Sequence, residues 1–346
     1  MQSSIDNLEN KYLTGICDVD HQLLDYLDID CMVNIMTISQ SIYWMLKSSM
    51  IYRQLADLKY HKLIDKLNNS ARYGYLKFIK LYRERIDSVG IGKLVSIASE
   101  SGQLDILIYL ISLGADITQY NNYAVRSASS NGHLDMVKYL VSVGADITQY
   151  NNSAVRSASS NGHLDVVKYL VSVGANVTAD NNSAALYASE NGHVMVVKYL
   201  VSLGASVTVA DNYAVRYASE NGHLEMVKYL VSLGADITSR DSSALQLASE
   251  NGYLELVKYL VSLGADITAS SNYALRYASQ NCHLEIVKYL ISLGADVRAC
   301  DNHAVKIASV NGHLELVTYL LSVGADQTES NNYAVNAHKQ NVVNEV

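Results

Sequence analysis

The chain has 346 residues, a formal net charge of −8 and a sequence pI near 5.7. A single globular core of that size usually splits into domains. The acidic balance argues against a general binder of nucleic acid or anionic membrane, because both recruit basic surfaces.

Taken from its start, the chain opens on MQSSIDNLENKY, which lacks the basic and apolar segments of a signal peptide. The most apolar early run, Met32 to Leu46, is short and interrupted by Asn34, Ser39, Gln40 and Ser41, so it is no membrane span. Leu23, Leu24, Tyr26 and Leu27, then Met32, Ile35, Ile42 and Leu46, predict two or three short amphipathic helices within residues 1–65. From Tyr26 to Leu46 this segment resembles an F-box, with Cys31 standing where that family carries an acidic residue. The resemblance implies recruitment of a cullin ubiquitin-ligase linker subunit and a role as substrate adaptor. A plain helical cap over the first repeat needs the same apolar spacing, and the residues fit both.

Residues 66–346 follow another grammar. Degenerate units fill 66–120, and seven units of thirty residues run in register from Asn121 to Ser330. The fragment 331–346 begins another unit and, with Asn336, His338, Lys339 and Gln340, suits a polar C-terminal cap. The first regular unit reads NNYAVRSASSNGHLDMVKYLVSVGADITQY. Asn122 is the expected N-cap of a helix from Tyr123 to about Ser130. Asn131-Gly132 ends it, because glycine reaches the left-handed conformation readily. A second helix carries Leu134, Val137, Leu140 and Val141 on one face, with Asp135 and Lys138 paired outside, and stops at Gly144. Neither helix can bury its stripe alone, and stacking identical hairpins solves this.

The segment A-S-x-N-G-H-L-x-x-V-K-Y-L-V-S-x-G-A-D resembles the ankyrin repeat. The resemblance implies an all-α solenoid of paired antiparallel helices and short arms, with a helical cap at its N-terminal end. It also implies a non-enzymatic module that binds a protein partner on its concave face. Two departures stand out. The period is thirty residues, not about 33, so a trimmed arm is expected. The T-P-L-H tetrapeptide gives way to Tyr123-Ala-Val-Arg126 or Ser243-Ala-Leu-Gln246, and the chain contains no proline. This shortened pattern resembles the multi-copy ankyrin proteins of giant amoebal DNA viruses, which implies host-cell cytoplasm as the compartment. Cys17, Cys31, Cys282 and Cys300 form no zinc or redox spacing, consistent with reduced thiols in a cytosolic or nuclear compartment.

Repetition also sorts the candidate residues. The column His133, His163, His193, His223, His283 and His313 cannot hold one metal, since stacked helices lie about 8–10 Å apart and zinc ligands sit about 2 Å from the ion. A histidine that satisfies backbone groups between helices is expected. Arg126, Arg156, Arg216 and Arg276, with Lys306, form a column that reads either as a basic ladder for phosphate or acidic peptide or as structural pairing with nearby Asp116, Asp146, Asp236 and Asp266, and pairing is the expectation. The column Tyr109 to Tyr319 is expected to pack between units with its hydroxyls at the rim. No catalytic set emerges, and no cofactor, nucleic acid or membrane partner is expected. Positions that vary while the frame stays fixed lie on the arm and the first helix. In the resembled family these line the partner groove, and the strongest patch there is Tyr213, Tyr217, Glu220, Arg240, Tyr273 and Tyr277.

Overall fold

The computed structural model describes residues 63–86 and 88–326. The F-box-like segment Tyr26–Leu46 and the C-terminal cap 331–346 lie outside the described residues. By its contacts the chain divides into Met1–Leu67 and Asn68–Val346. The second unit is all-helical, with no strand among its described residues. After Leu76–Leu81 and a short 3-10 turn, eight helix pairs follow one another, from Ser88–Glu100 with Leu104–Ser112 to Ala299–Val310 with Leu314–Ser322. No helix among the described residues is long and apolar enough to cross a membrane.

Each pair folds for reasons visible in one unit. The first helix Gln149–Ser160 buries Ala154, Val155 and Ala158. Both helices stop in the same way. His163 N–H donates to Ala158 O and Gly162 N–H to Ser159 O, while Ala175 N–H donates to Leu170 O and Gly174 N–H to Val171 O. These are paired bonds around a left-handed glycine, and both glycines have positive φ, 80° and 104°. Gly162 has a second constraint. A Cβ there would lie 2.5 Å from His193 Nδ1 of the next unit, so a bare backbone is required for stacking.

The second helix Leu134–Ser142 buries Met136, Val137 and Leu140. Leu134 and Val141, expected on the buried stripe, are only half-buried. The buried stripe is narrower than the spacing suggested and turned toward Met136. Lys–acid pairs three residues apart do form on the outer surface, as in Lys228–Glu225 at 2.7 Å and Lys258–Glu255 at 2.8 Å.

Between units the chain makes a compact arm. In Ala145-Asp146-Ile147-Thr148, Ala145 and Ile147 turn inward and are buried. Asp146 Oδ1 accepts from the Thr148 N–H at 2.8 Å and from its hydroxyl at 2.7 Å. Then comes a turn of unusual hand. Tyr150, Asn151 and Asn152 adopt φ of 48°, 54° and 61° with ψ of 52°, 48° and 42°. This is one turn of left-handed helix, built without glycine. It recurs at Asp180–Asn182, Ala210–Asn212, Arg240–Ser242, Ser270–Asn272 and Cys300–Asn302. Each such residue costs roughly 1–2 kcal/mol, least for Asn and Asp. The expected N-cap role of Asn122 is therefore corrected. Asn122 is itself left-handed, with φ 57°, and its Oδ1 accepts from Asp146 N–H of the following arm at 2.9 Å. Asn152, Asn182, Asn212, Asn272 and Asn302 bond the next arm in the same way. The asparagine staples one arm to the next, which offsets part of the strain it carries.

Candidate partner-binding face

First helices pack on neighbouring first helices far more extensively than second helices do on theirs. The first-helix side is therefore the closer edge of the stack, and its variable side chains lie one unit apart. The frame consumes most of the repeated columns. His133 Nε2 lies 3.0 Å from Glu100 O, His163 Nε2 3.0 Å from Ser130 O, and His313 Nε2 2.9 Å from Gln280 O. Each histidine ties the end of the previous first helix, as the sequence suggested. Burial and neighbouring His193 hold the His223 imidazole below its ordinary pKa. Among the described residues no group of three His, Cys, Asp or Glu side chains could hold a metal ion.

Arg156, Arg216 and Arg276 do not pair with the expected aspartates. Asp116, Asp146, Asp236 and Asp266 bind the threonine two residues on, and those bonds hold their carboxyls below the usual range. Arg216 instead donates to the carbonyls of Asp211 and Ala210, and Arg276 to those of Ser271 and Ser270. The guanidinium thus satisfies the carbonyls of its own unit's left-handed turn. Gln246 does the same toward Asp241 O, which explains why an amide can replace it. Arg156 pairs with Asp180 at 2.7 Å. The second-helix tyrosines are half-buried, and Lys168, Lys198 and Lys288 lie over the Tyr199, Tyr229 and Tyr319 rings of the next unit.

What remains is the first-helix surface. Tyr213 and Tyr217, one helical turn apart, pack with centroids 4.1 Å apart and planes tilted by 30°, and Tyr187 of the preceding unit meets Tyr213 edge-on at 6.3 Å. Tyr273 and Tyr277 stack at 3.9 Å, nearly parallel. The Tyr213 hydroxyl donates to Glu190 Oε2 at 2.7 Å, and the Tyr273 hydroxyl to Glu250 Oε2 at 3.0 Å. Burial, then the glutamate beside each, pushes both phenols well above their ordinary pKa. Glu220 lies between Glu190 and Glu250. Burial, and then the charges of those two, push its carboxyl up.

Five of the six predicted residues thus form two tyrosine pairs and one glutamate between them. Arg240 stands apart. It sits in a left-handed turn at φ 51° and grips Asp211 through Nε and Nη2 at 3.1 and 2.6 Å. Two depressions open further toward the N-terminus of the same face, outside the six-residue patch the sequence singled out. One, about 400 Å³, is lined by Glu100, Tyr123, Arg126, Ser127, Ser130, Asn131 and Ser157. The other, about 230 Å³, is lined by Ser130, Arg156, Ser157, Ser160, Asn161 and Tyr187. The available signal was serine at positions where later units carry tyrosine or glutamate.

A family model described as ankyrin repeats in three copies matches in overlapping windows from residue 67 to residue 331. No curated protein matches the chain. Among solved structures, the crystal structure of the human ASB11 ankyrin repeat domain is similar at 22% identity and a TM-score of 0.51, over 58% of this chain and 98% of that one. At that identity the likeness concerns the fold.

Proposed function

Because the chain belongs to the ankyrin-repeat family over residues 67–331, we propose that it is a non-enzymatic binding protein that grips one protein partner on its first-helix face. Ankyrin repeats are in general protein–protein interaction modules, and the family is typically a scaffold without catalysis. The observation that carries the proposal is the division of labour among residues. Histidines and asparagines of the repeated columns, with Arg216 and Arg276, are used on the backbone, while the tyrosine pairs at 213/217 and 273/277 stay half-exposed. Rigid amphipathic rings of this kind act as energetic anchors in interfaces. The contact patch is Tyr213, Tyr217, Glu220, Arg240, Tyr273 and Tyr277. Affinity capture from a host-cell extract tests it. Tyr213→Ala, Arg240→Ala and Tyr273→Ala together should abolish capture while the array keeps its helical signal. Undiminished capture removes the patch.

A second reading rests on the F-box-like spacing of Tyr26–Leu46. It makes the array the substrate arm of a cullin ubiquitin ligase. Co-purification of a cullin-ligase linker subunit with the full chain, lost on replacing Leu27 and Leu46 with Asp, supports it. A full chain that brings down no such subunit is no adaptor.

A further inference from the structure

The two tyrosine pairs belong to units two apart. The unit between them carries Ser243 and Leu247 at the matching positions. The first-helix face therefore has a notch there, flanked by paired rings. Two helix spacings make it roughly 16–20 Å across, enough for one peptide segment to cross.

The floor of the notch has an unmatched charge. Glu190 accepts from Tyr213 and Glu250 from Tyr273, each phenol lying 23 residues on. The same offset from Glu220 leads to Ser243, whose hydroxyl donates instead to Ser239 O. Cations near the notch are committed elsewhere: Arg216 and Arg276 to backbone carbonyls, Arg240 to Asp211. None of the ion pairs among the described residues reaches Glu190, Glu220 or Glu250. Glu220 thus lies between two tyrosine-bonded glutamates, and no cation among the described residues pairs with it.

Resting on the partner-binding reading above, we infer that this notch receives a basic segment of the partner, with a lysine or arginine side chain directed at Glu220. The complementarity has two parts. A cation between Glu220 and its neighbours relieves the repulsion among the three carboxylates. Its aliphatic stem, or a guanidinium plane, packs on the tyrosine faces that flank the notch.

A random-peptide display library selected on the intact chain tests this, followed by binding of the most enriched peptide in labelled form. The enriched sequences should share one lysine or arginine. Glu220→Gln should weaken that peptide about tenfold, the scale of one charge-assisted bond. Ser243→Tyr, which fills the notch, should block it. Glu255→Gln, an equal charge change on the second helix, should leave it unaffected. This control separates the notch from general attraction between a basic peptide and an acidic chain. Equal weakening by both glutamine variants, enriched peptides without a basic residue, or no enrichment at all overturns the inference. Peptides that lack a basic residue but are lost on the Tyr213, Arg240 and Tyr273 alanine variant overturn this inference alone. Peptides indifferent to that variant overturn the binding reading beneath it as well.

Discussion

The first-helix face has two halves on one frame. Around residues 123–160 it presents Ser130, Ser157 and Ser160 and opens into shallow polar depressions. Around 187–280 the same register carries paired tyrosines and the glutamates at 190, 220 and 250. Helix pairs and glycine ends are alike in both. The difference teaches that the frame is held by backbone-directed bonds, which leave the first-helix side chains free to specify a surface.

The largest effect separates the halves directly. Alanine at Tyr213, Arg240 and Tyr273 should abolish partner capture, whereas alanine at Ser130, Ser157 and Ser160 should leave it intact. Loss in both cases would dissolve the distinction.

The next effect should ignore the distinction. Gly162→Ala sets a Cβ 2.5 Å from His193 Nδ1 and a left-handed φ on alanine. It should destabilise the array by about 2–4 kcal/mol, and Gly192→Ala, under His223, by a similar amount. Denaturant midpoints check this. Asn182→Ala removes the acceptor of Ser206 N–H and an Asn from a left-handed turn, and should cost about 1–2 kcal/mol. Cys282 offers the reverse test. It occupies the glycine position of its unit with φ 63°, so Cys282→Gly should stabilise the array by about 1 kcal/mol.

The smallest effect is a pH dependence centred on Glu220 in the tyrosine half. Glu220 has its folded pKa raised by burial and by Glu190 and Glu250. The folded state then holds a proton that the unfolded state has lost, so stability falls as pH rises from the ordinary glutamate pKa through the raised one. Glu220→Gln should remove that decline and melt slightly higher than the parent at neutral pH. A pH-independent difference between the two melting curves would count against the crowded carboxylates.

Much of the frame was legible because it is local. The thirty-residue period, the glycine stops and the histidine ties follow from residue type and spacing. The left-handed turn was not, because Asn and Asp favour both helix N-caps and the left-handed region, and the sequence around Asn151-Asn152 does not separate them. Arg156, Arg216 and Arg276 were assigned to the wrong partners for a related reason. Asp146 lies two residues from a threonine that satisfies it, and Arg216 folds back on carbonyls only five and six residues away. Of the site, the tyrosines were legible as variable aromatic positions. Their bonds to glutamates 23 residues earlier depend on how units stack, and Arg240 was drawn to Asp211 by the turn it sits in.

Tyrosine footprinting of the captured complex tests the central claim most directly. Partner binding should protect Tyr213, Tyr217, Tyr273 and Tyr277 from modification and leave the second-helix column, Tyr139, Tyr169, Tyr229 and Tyr259, as reactive as in the free chain. Protection of the second-helix column with the first-helix pairs unchanged would contradict it.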